Sequence, residues 1–526
     1  MAEAAKRERT GKHALLVAAG ILISRVFGLV RQRIFSRYFG QGDAADAFAA
    51  AFRIPNFLQN LFGEGVLSAS FIPVYARLLA EGDEEEAGRV AGAVAAILAM
   101  VVSLAVLIGV TATPLFIDAI APGFHGAKRD LTISLVRVLF PGVGLLVLSA
   151  WCLAILNSHR RFLVSYTAPV LWNVAMIATL LGFRREAQFP LAITLAWGSV
   201  VGSALQFGVQ VPLVLRLVKR LRLRMDTTGA HVREVIRNFA PVFVSRGVVQ
   251  ISAYVDSLLA SFLGTGPVIA LFNAQTINSL PVSLFGMAVS AAELPAMSSA
   301  LGTESEVAAM LRARLNSALR QIAFFVVPSA MAFLALGDMV AATLFQNGKF
   351  TYADSEYLWA ILAGSSVGLL ASTLGRLYSS TYYALRDTRT PLRFAIVRVV
   401  LTVGLGWFCA KPLPVWIGID PRWGVAGLTA SAGVAGWVEF TLLRRSLNRR
   451  IGETGLAARF VARLWAAAAV AAAAGFGVKM MVGVARPVID GVLVLGTYGI
   501  LYFALCYVLR VEETTTAFRR LARLRR

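Results

Sequence analysis

The run "SRVFGLVRQRIFSRYFGQGDAADAFAAAFRIPNFLQNLFGEG" (residues 24–65) sets two apolar segments side by side and loads them with charge. Arg25, Arg31, Arg33 and Arg37 fall in the first segment, and Asp46, Arg53 and Glu64 in the second. A charge at the centre of a membrane helix costs roughly 2.5–3.5 kcal/mol on insertion scales, so ionisable residues at that depth point to function. Either these segments are soluble helices, or the cations serve something inside a membrane.

Composition decides for the membrane. The 526 residues are 57% hydrophobic with a mean hydropathy of +0.69, and 15% are charged. Soluble domains carry about 25% charged residues. Apolar stretches of spanning length recur along the chain with short polar joints. Fourteen candidate helices follow, at 13–38, 45–78, 89–113, 131–157, 163–183, 189–215, 238–262, 267–299, 315–336, 354–384, 391–410, 423–443, 460–482 and 487–509. The 267–299 and 354–384 segments are long enough to tilt, to protrude or, at Pro281, to bend. The basic N-terminus has no small-residue cleavage site after it, so the first run reads as a retained helix. Cys152, Cys409 and Cys506 each sit in an apolar run without a CxxC pattern or nearby histidines, and read as small core residues.

The net charge of +22 would suit a nucleic-acid surface, but its placement does not. With an even number of spans both termini share one side. Of the 51 Lys and Arg, 33 fall on that side, 9 on the other and 9 within spans. This is the positive-inside signature, and it puts both termini in the cytoplasm. The chain then divides into a cytoplasmic tail (1–12), a six-helix lobe (13–220), a basic cytoplasmic linker (221–237), a second six-helix lobe (238–450), and an added helix pair with a basic tail (451–526). The fold class is an all-α polytopic membrane protein, and paired six-helix lobes suit a transporter.

Arg33, Arg37, Arg137 and Arg398 lie near span ends, where long side chains snorkel to the interface. Arg376 is open between anchoring and function, and Glu293 and Glu439 lie toward cytoplasmic ends. Arg25 and Arg31 are central in the first span, and Ser24 shares a face with Arg31. On one continuous helix Asp46, Arg53, Asn56, Asn60 and Glu64 fall within about 80° of arc, with Pro55 bending the register. A stripe this narrow faces a hydrated cavity or holds the bundle interior together. Arg246 and Asp256 share the seventh span. A cluster of arginines with few acids calls for an anionic substrate, and the guanidinium fork suits phosphate. No phosphate loop, metal motif or nucleophile triad is present, so the expectation is a transporter rather than an enzyme, with no cofactor.

At the level of whole motifs the chain resembles the MurJ/MviN family of lipid II flippases. The opening run carries the resemblance, together with "LFPGVGLLVLSAWCLAILNSHRRF" (139–162), "TAPVLWN" (167–173), "VDSLLASFLGTGPVIAL" (255–271), "LFQNGKF" (344–350) and "YYALRDTRTPLRFA" (382–395). It spans about residues 10–450. The resemblance implies a V-shaped, two-lobed exporter fold around a central cationic cavity. It implies export of undecaprenyl-diphosphate-MurNAc-pentapeptide-GlcNAc, lipid II, across the bacterial inner membrane. Arg25, Arg31 and Arg53 stand at basic cavity positions, Asp46 and Glu64 at cavity acids, and Ser24 and Asn56 also match. There are departures: Gln32 replaces an acid, and Gln275 and Thr276 replace an Asp-Arg pair, for which Arg246 is the candidate compensation.

The expected mechanism is alternating access driven by Na+ or by the membrane potential, with Asp256 and Asp387 as ion-coupling candidates. For Asp387, in the turn "LRDTRTP", a local cap or ion pair is the simpler reading. Expected partners are lipid II, membrane lipids and cell-wall synthesis proteins, with no nucleic acid. The rivals are an exporter of another polyprenyl-diphosphate-linked glycan, a drug exporter of the same fold and a non-transporting scaffold. A cationic-drug pump would want an acidic cavity, and a scaffold would tolerate loss of the arginines.

Overall fold

The computed structural model describes residues 2–218, 220–287, 289–290, 293, 297, 303–385 and 387–514. Among them the regular structure is helical: α1 (Ala2–Phe39), α2 (Asp43–Phe62), α3 (Glu64–Ser70), α4 (Ile72–Glu81), α5 (Glu84–Thr111), α6 (Thr113–Ile120), α7 (Gly126–Ser158), α8 (Phe162–Gly182), α9 (Gln188–Leu217) and α10 (Ala230–Ser261). There follow α11 (Pro267–Pro281), α12 (Glu304–Phe345), α13 (Tyr352–Ala384), α14 (Arg389–Ala410), α15 (Pro412–Trp416), α16 (Gly424–Ile451), α17 (Ala458–Val482) and α18 (Pro487–Val508).

Among the described residues eleven helical segments are long and apolar enough to cross a membrane, and they coincide with eleven of the fourteen expected spans. The other three expected spans, 13–38, 45–78 and 238–262, hold Arg25, Arg31, Arg53, Arg246 and Asp256. In each of the three, some side chains lie outside the described residues. The second is also not one helix. Backbone extension at Gly63 (φ −85°, ψ −156°) separates α2 from α3, and Phe71 separates α3 from α4. A Cβ at Gly63 would lie 2.1 Å from the Gln59 carbonyl oxygen, so the break is built on a residue without one. The bend expected at Pro281 is a π-helical turn over Val282–Met287.

The chain forms two compact units, one of residues 1–266 with 347–349 and one of 267–346 with 350–526. In the first, α7 packs on α2, α5 and α9, and α8 packs on α1 and α9. Its core is aliphatic and aromatic, centred on residues such as Phe71, Tyr75, Val147, Cys152 and Ile155. The linker is irregular to Gly229 and helical from Ala230, and α10 packs on α2 and α3 of this same unit. In the second unit α13 packs on α12 and α16, while α17 and α18 pack on each other and on α12. α12 is kinked at Leu336 (φ −130°, ψ 19°), the expected end of that span.

Candidate functional site

The site is built in the first unit from α1, α2, α8, α9 and α10. On α1, Arg25 is exposed and Ser24 half-buried. Two turns on, the half-buried Arg31 reaches α8. Its guanidinium carbon lies 4.6 Å from the centre of the Trp172 ring, and its Nη1 is 3.6 Å from the Met176 sulfur. Trp172 is itself anchored: its indole N–H donates to the Ser199 hydroxyl of α9 at 3.1 Å, and Phe52 of α2 lies 5.7 Å from it between ring centres. Among the described residues no carboxylate pairs with Arg31.

α2 carries the rest of the stripe. Arg53 is half-buried, its carbonyl accepts the Tyr254 hydroxyl of α10 at 2.5 Å, and its guanidinium feels the Asp256 carboxylate. The structure therefore joins two residues that the sequence suggested for different tasks. Asn56 lines a small cleft with Phe52, Gln59, Ser199 and Ser203, and Asn60 is exposed. Because Gly63 interrupts the helix, the wheel does not extend to Glu64. The side chains of Glu64 and Arg246 lie outside the described residues.

Asp46 sits apart from the arginines. It is fully buried, accepts the Gly266 N–H at 2.7 Å and pairs with Lys128 Nζ at 2.7 Å. Lys128 also meets Asp43 at 3.1 Å, and Thr265 donates to Asp43 at 2.7 Å. This ties the first turn of α2 to α7 and to the turn after α10. A buried carboxylate needs such partners.

In the second unit Asp387 is a cap. Its carboxylate accepts the backbone N–H groups of Arg389 (3.1 Å) and Thr390 (3.0 Å) and the Thr390 hydroxyl (2.7 Å), and it pairs with Arg450 at 2.8 Å. The hydrogen bonds from Thr390, helped by Arg450, hold it down at about 2. Arg398 pairs with Glu439 at 3.0 Å, Glu293 with Arg314 at 3.1 Å, and Arg376 is exposed. Thr276 donates to its own helix at the Phe272 carbonyl.

Sequence reasoning missed Trp172, Ser199, Tyr254 and Lys128, which orient or neutralise the charges it found. It also missed Asp338, just beyond the expected span, which is buried, pairs with Lys479 at 2.5 Å and accepts the Tyr352 hydroxyl at 2.7 Å. An acid with a lysine in a later apolar helix was the available signal.

Chemically, the first unit offers a permanent cation held by an aromatic face, a second cation beside an acid, and amide and hydroxyl groups between them. Such a set has the chemistry to hold an anion reversibly.

Comparison with known proteins agrees. A family model described as "Lipid II flippase MurJ" matches residues 35–488. A protein of Vibrio cholerae serotype O1, described as "Probable lipid II flippase MurJ", is 31% identical over 89% of each chain. The "Lipid II flippase MurJ" of Burkholderia cenocepacia is 31% identical over 83% of this chain and 84% of its own. A solved structure titled "Lipid II flippase MurJ, inward closed conformation" superposes with a TM-score of 0.75 at 21% identity, covering 94% of this chain and 98% of the other. An inward-facing multidrug MATE transporter of the MOP superfamily follows at 0.65 and 17% identity, over 83% of this chain and 98% of its own, which is a likeness of fold. With that family model covering most of its length and relatives at this identity, the chain is a multi-pass membrane protein of the lipid II flippase MurJ family.

Proposed function

We propose that this protein moves lipid II from the cytoplasmic to the periplasmic leaflet of the bacterial inner membrane by alternating access. The observation that carries the reading is Arg31: a cation at membrane depth, set on Trp172 and Met176 without a carboxylate partner among the described residues. Its charge is left for a ligand, and the diphosphate is the anionic part of lipid II. Arg25 and Arg53 extend the cationic surface, and Asn56 and Asn60 supply neutral hydrogen-bonding groups for sugar and peptide. A ligand shifts a conformational equilibrium only through differential affinity. Drawing arginines together repels, and a diphosphate between them relieves that repulsion.

Both termini face the cytoplasm, a reading supported by the 33 to 9 bias of Lys and Arg. The membrane potential supplies about 2.3 kcal/mol per charge per 100 mV. Asp256, coupled to Arg53, is the stronger candidate for ion coupling, because Asp387 is occupied as a cap. Cell-wall synthesis proteins are the expected partners.

The test is complementation in cells depleted of their own lipid II flippase, reading lipid II accessible from outside. Wild type rescues, and Arg25→Ala, Arg31→Ala and Arg53→Ala at matched membrane levels do not. Failure of well-expressed wild type would redirect the assignment to another polyprenyl-diphosphate-linked glycan. Rescue by every variant would sink the arginine mechanism.

A further inference from the structure

We propose that Trp172 is a positioning residue for the substrate anion. It holds Arg31 by its aromatic face, so that the guanidinium is fixed in place while its charge and its in-plane N–H groups stay available. The inference rests on the reading of Arg31 as a diphosphate contact and assigns the device that prepares it.

An arginine inside a membrane protein is ordinarily stabilised by an acid. That solution would defeat an anion site, because a carboxylate uses the same fork that grips phosphate and cancels the charge. An indole face attracts the cation through its quadrupole and occupies the face of the guanidinium, leaving the edge donors. The geometry at Arg31 fits this: the guanidinium carbon is 4.6 Å from the ring centre, and among the described residues its polar contact is a thioether at 3.6 Å, a weak acceptor.

The indole is in turn fixed from two sides. Ser199 on α9 accepts its N–H at 3.1 Å, and Phe52 on α2 packs 5.7 Å away. α9 also approaches closely, since a Cβ at Gly202 would lie 3.0 Å from Trp172 atoms. A side chain pinned by a hydrogen bond and by packing cannot follow a mobile arginine, so the arginine is held to the ring. Ser199 also lines the cleft shared with Asn56 and Gln59, which makes the support continuous with the stripe on α2.

The experiment is a double-mutant cycle on binding of undecaprenyl diphosphate, the lipid anion without sugar or peptide, to purified full-length protein in nanodiscs. Trp172→Leu in the wild-type background should weaken binding about tenfold. Trp172→Phe, which keeps an aromatic face, should recover part of that, and Ser199→Ala should weaken binding about two- to threefold with packing almost unchanged. In an Arg31→Ala background, Trp172→Leu should cost nothing further. A purely structural tryptophan would give the same loss in both backgrounds, and that additivity would overturn the proposal, as would wild-type binding by Trp172→Leu. Should Trp172→Leu fail to assemble, Trp172→Phe and Ser199→Ala complete the cycle. Absence of binding by wild type would overturn the diphosphate reading of Arg31 and the positioning role with it. Binding by wild type that is indifferent to Trp172 would remove the positioning role alone.

Discussion

The Tyr502 hydroxyl of α18 donates to the carbonyl oxygen of Phe324 in α12 at 2.7 Å. Phe324 stands four residues before Pro328, which has no N–H to close that helical bond. One turn on, Tyr498 donates to the Pro328 carbonyl, also at 2.7 Å. The added helix pair therefore supplies the donor that the proline withholds, in an apolar setting where an orphan carbonyl is costly.

Removing that donor should be measurable. Tyr502 is 1% exposed, so Tyr502→Phe leaves a buried acceptor unmet, at about 1–3 kcal/mol. The midpoint of thermal unfolding in detergent should fall. In a Pro328→Ala background residue 328 regains an N–H for Phe324, and Tyr502→Phe should then cost less than half as much. Equal cost in both backgrounds would mean that Tyr502 acts by packing.

Lys128 should be among the least replaceable surface-proximal residues. It is a cation facing the fully buried Asp46, and Lys128→Met removes that ion pair. Breaking a buried pair from one side costs about 3–5 kcal/mol. Membrane levels of Lys128→Met should collapse, while Lys128→Met with Asp46→Asn should recover most of them. Recovery of protein without recovery of lipid II export would give Asp46 a task beyond this lock.

These two cases mark what was legible in the sequence. Arg31, Arg53, Asp46 and Asp256 declare themselves because a charge in an apolar run is expensive, and that expense is local information. Their partners are not local: Lys128 is 82 positions from Asp46, and Tyr254 is 201 from Arg53. Trp172 in "TAPVLWN" reads as an ordinary aromatic until α8 lies against α1. Eleven of the expected spans were legible from apolar length alone. The break at Gly63 was not, since one glycine in an apolar run looks like any other until a backbone carbonyl crowds it. The wheel that put Glu64 on the same stripe assumed an unbroken helix.

Asp387 should prove structural. Its folded pKa is depressed, so its contribution is complete above the usual carboxylate range and is lost as pH falls toward 2. At neutral pH Asp387→Ala removes the cap of α14 and the Arg450 pair, about 1–2 kcal/mol as for other helix caps. Asp387→Asn keeps an acceptor for the Thr390 and Arg389 N–H groups and loses less. Lipid II transport by Asp387→Asn in proteoliposomes should match wild type both with and without Na+. A departure from wild type only when Na+ is present would return Asp387 to the ion-coupling candidates.

The linker should come loose when α5 gains a side chain. Gly88 and Gly92 lie one turn apart, and Cβ atoms there would sit 2.7 Å from the Arg220 carbonyl oxygen and 2.0 Å from that of Arg222. Glu85 and Arg220 add an ion pair on the same face. Gly92→Leu should lift residues 220–224 off α5, seen as several-fold faster limited trypsin cleavage at Arg220, Arg222 and Arg224. An unchanged cleavage rate in folded protein would mean that α5 moves instead of the linker.

Arg31→Lys separates charge from shape. Lysine keeps the cation and can approach the Trp172 ring, but it has neither the planar fork nor the delocalised charge that stacks on an indole. If the diphosphate is gripped by two parallel N–H bonds, Arg31→Lys should lose roughly tenfold or more in lipid II export at matched expression, since lysine offers a point charge where arginine offers two parallel charge-assisted bonds. The same substitution at the exposed Arg25 should be milder, because a point charge in an open position serves nearly as well. Full activity of Arg31→Lys would show that the site needs only a positive charge at that depth, and that the stacked geometry has no part in recognising the anion.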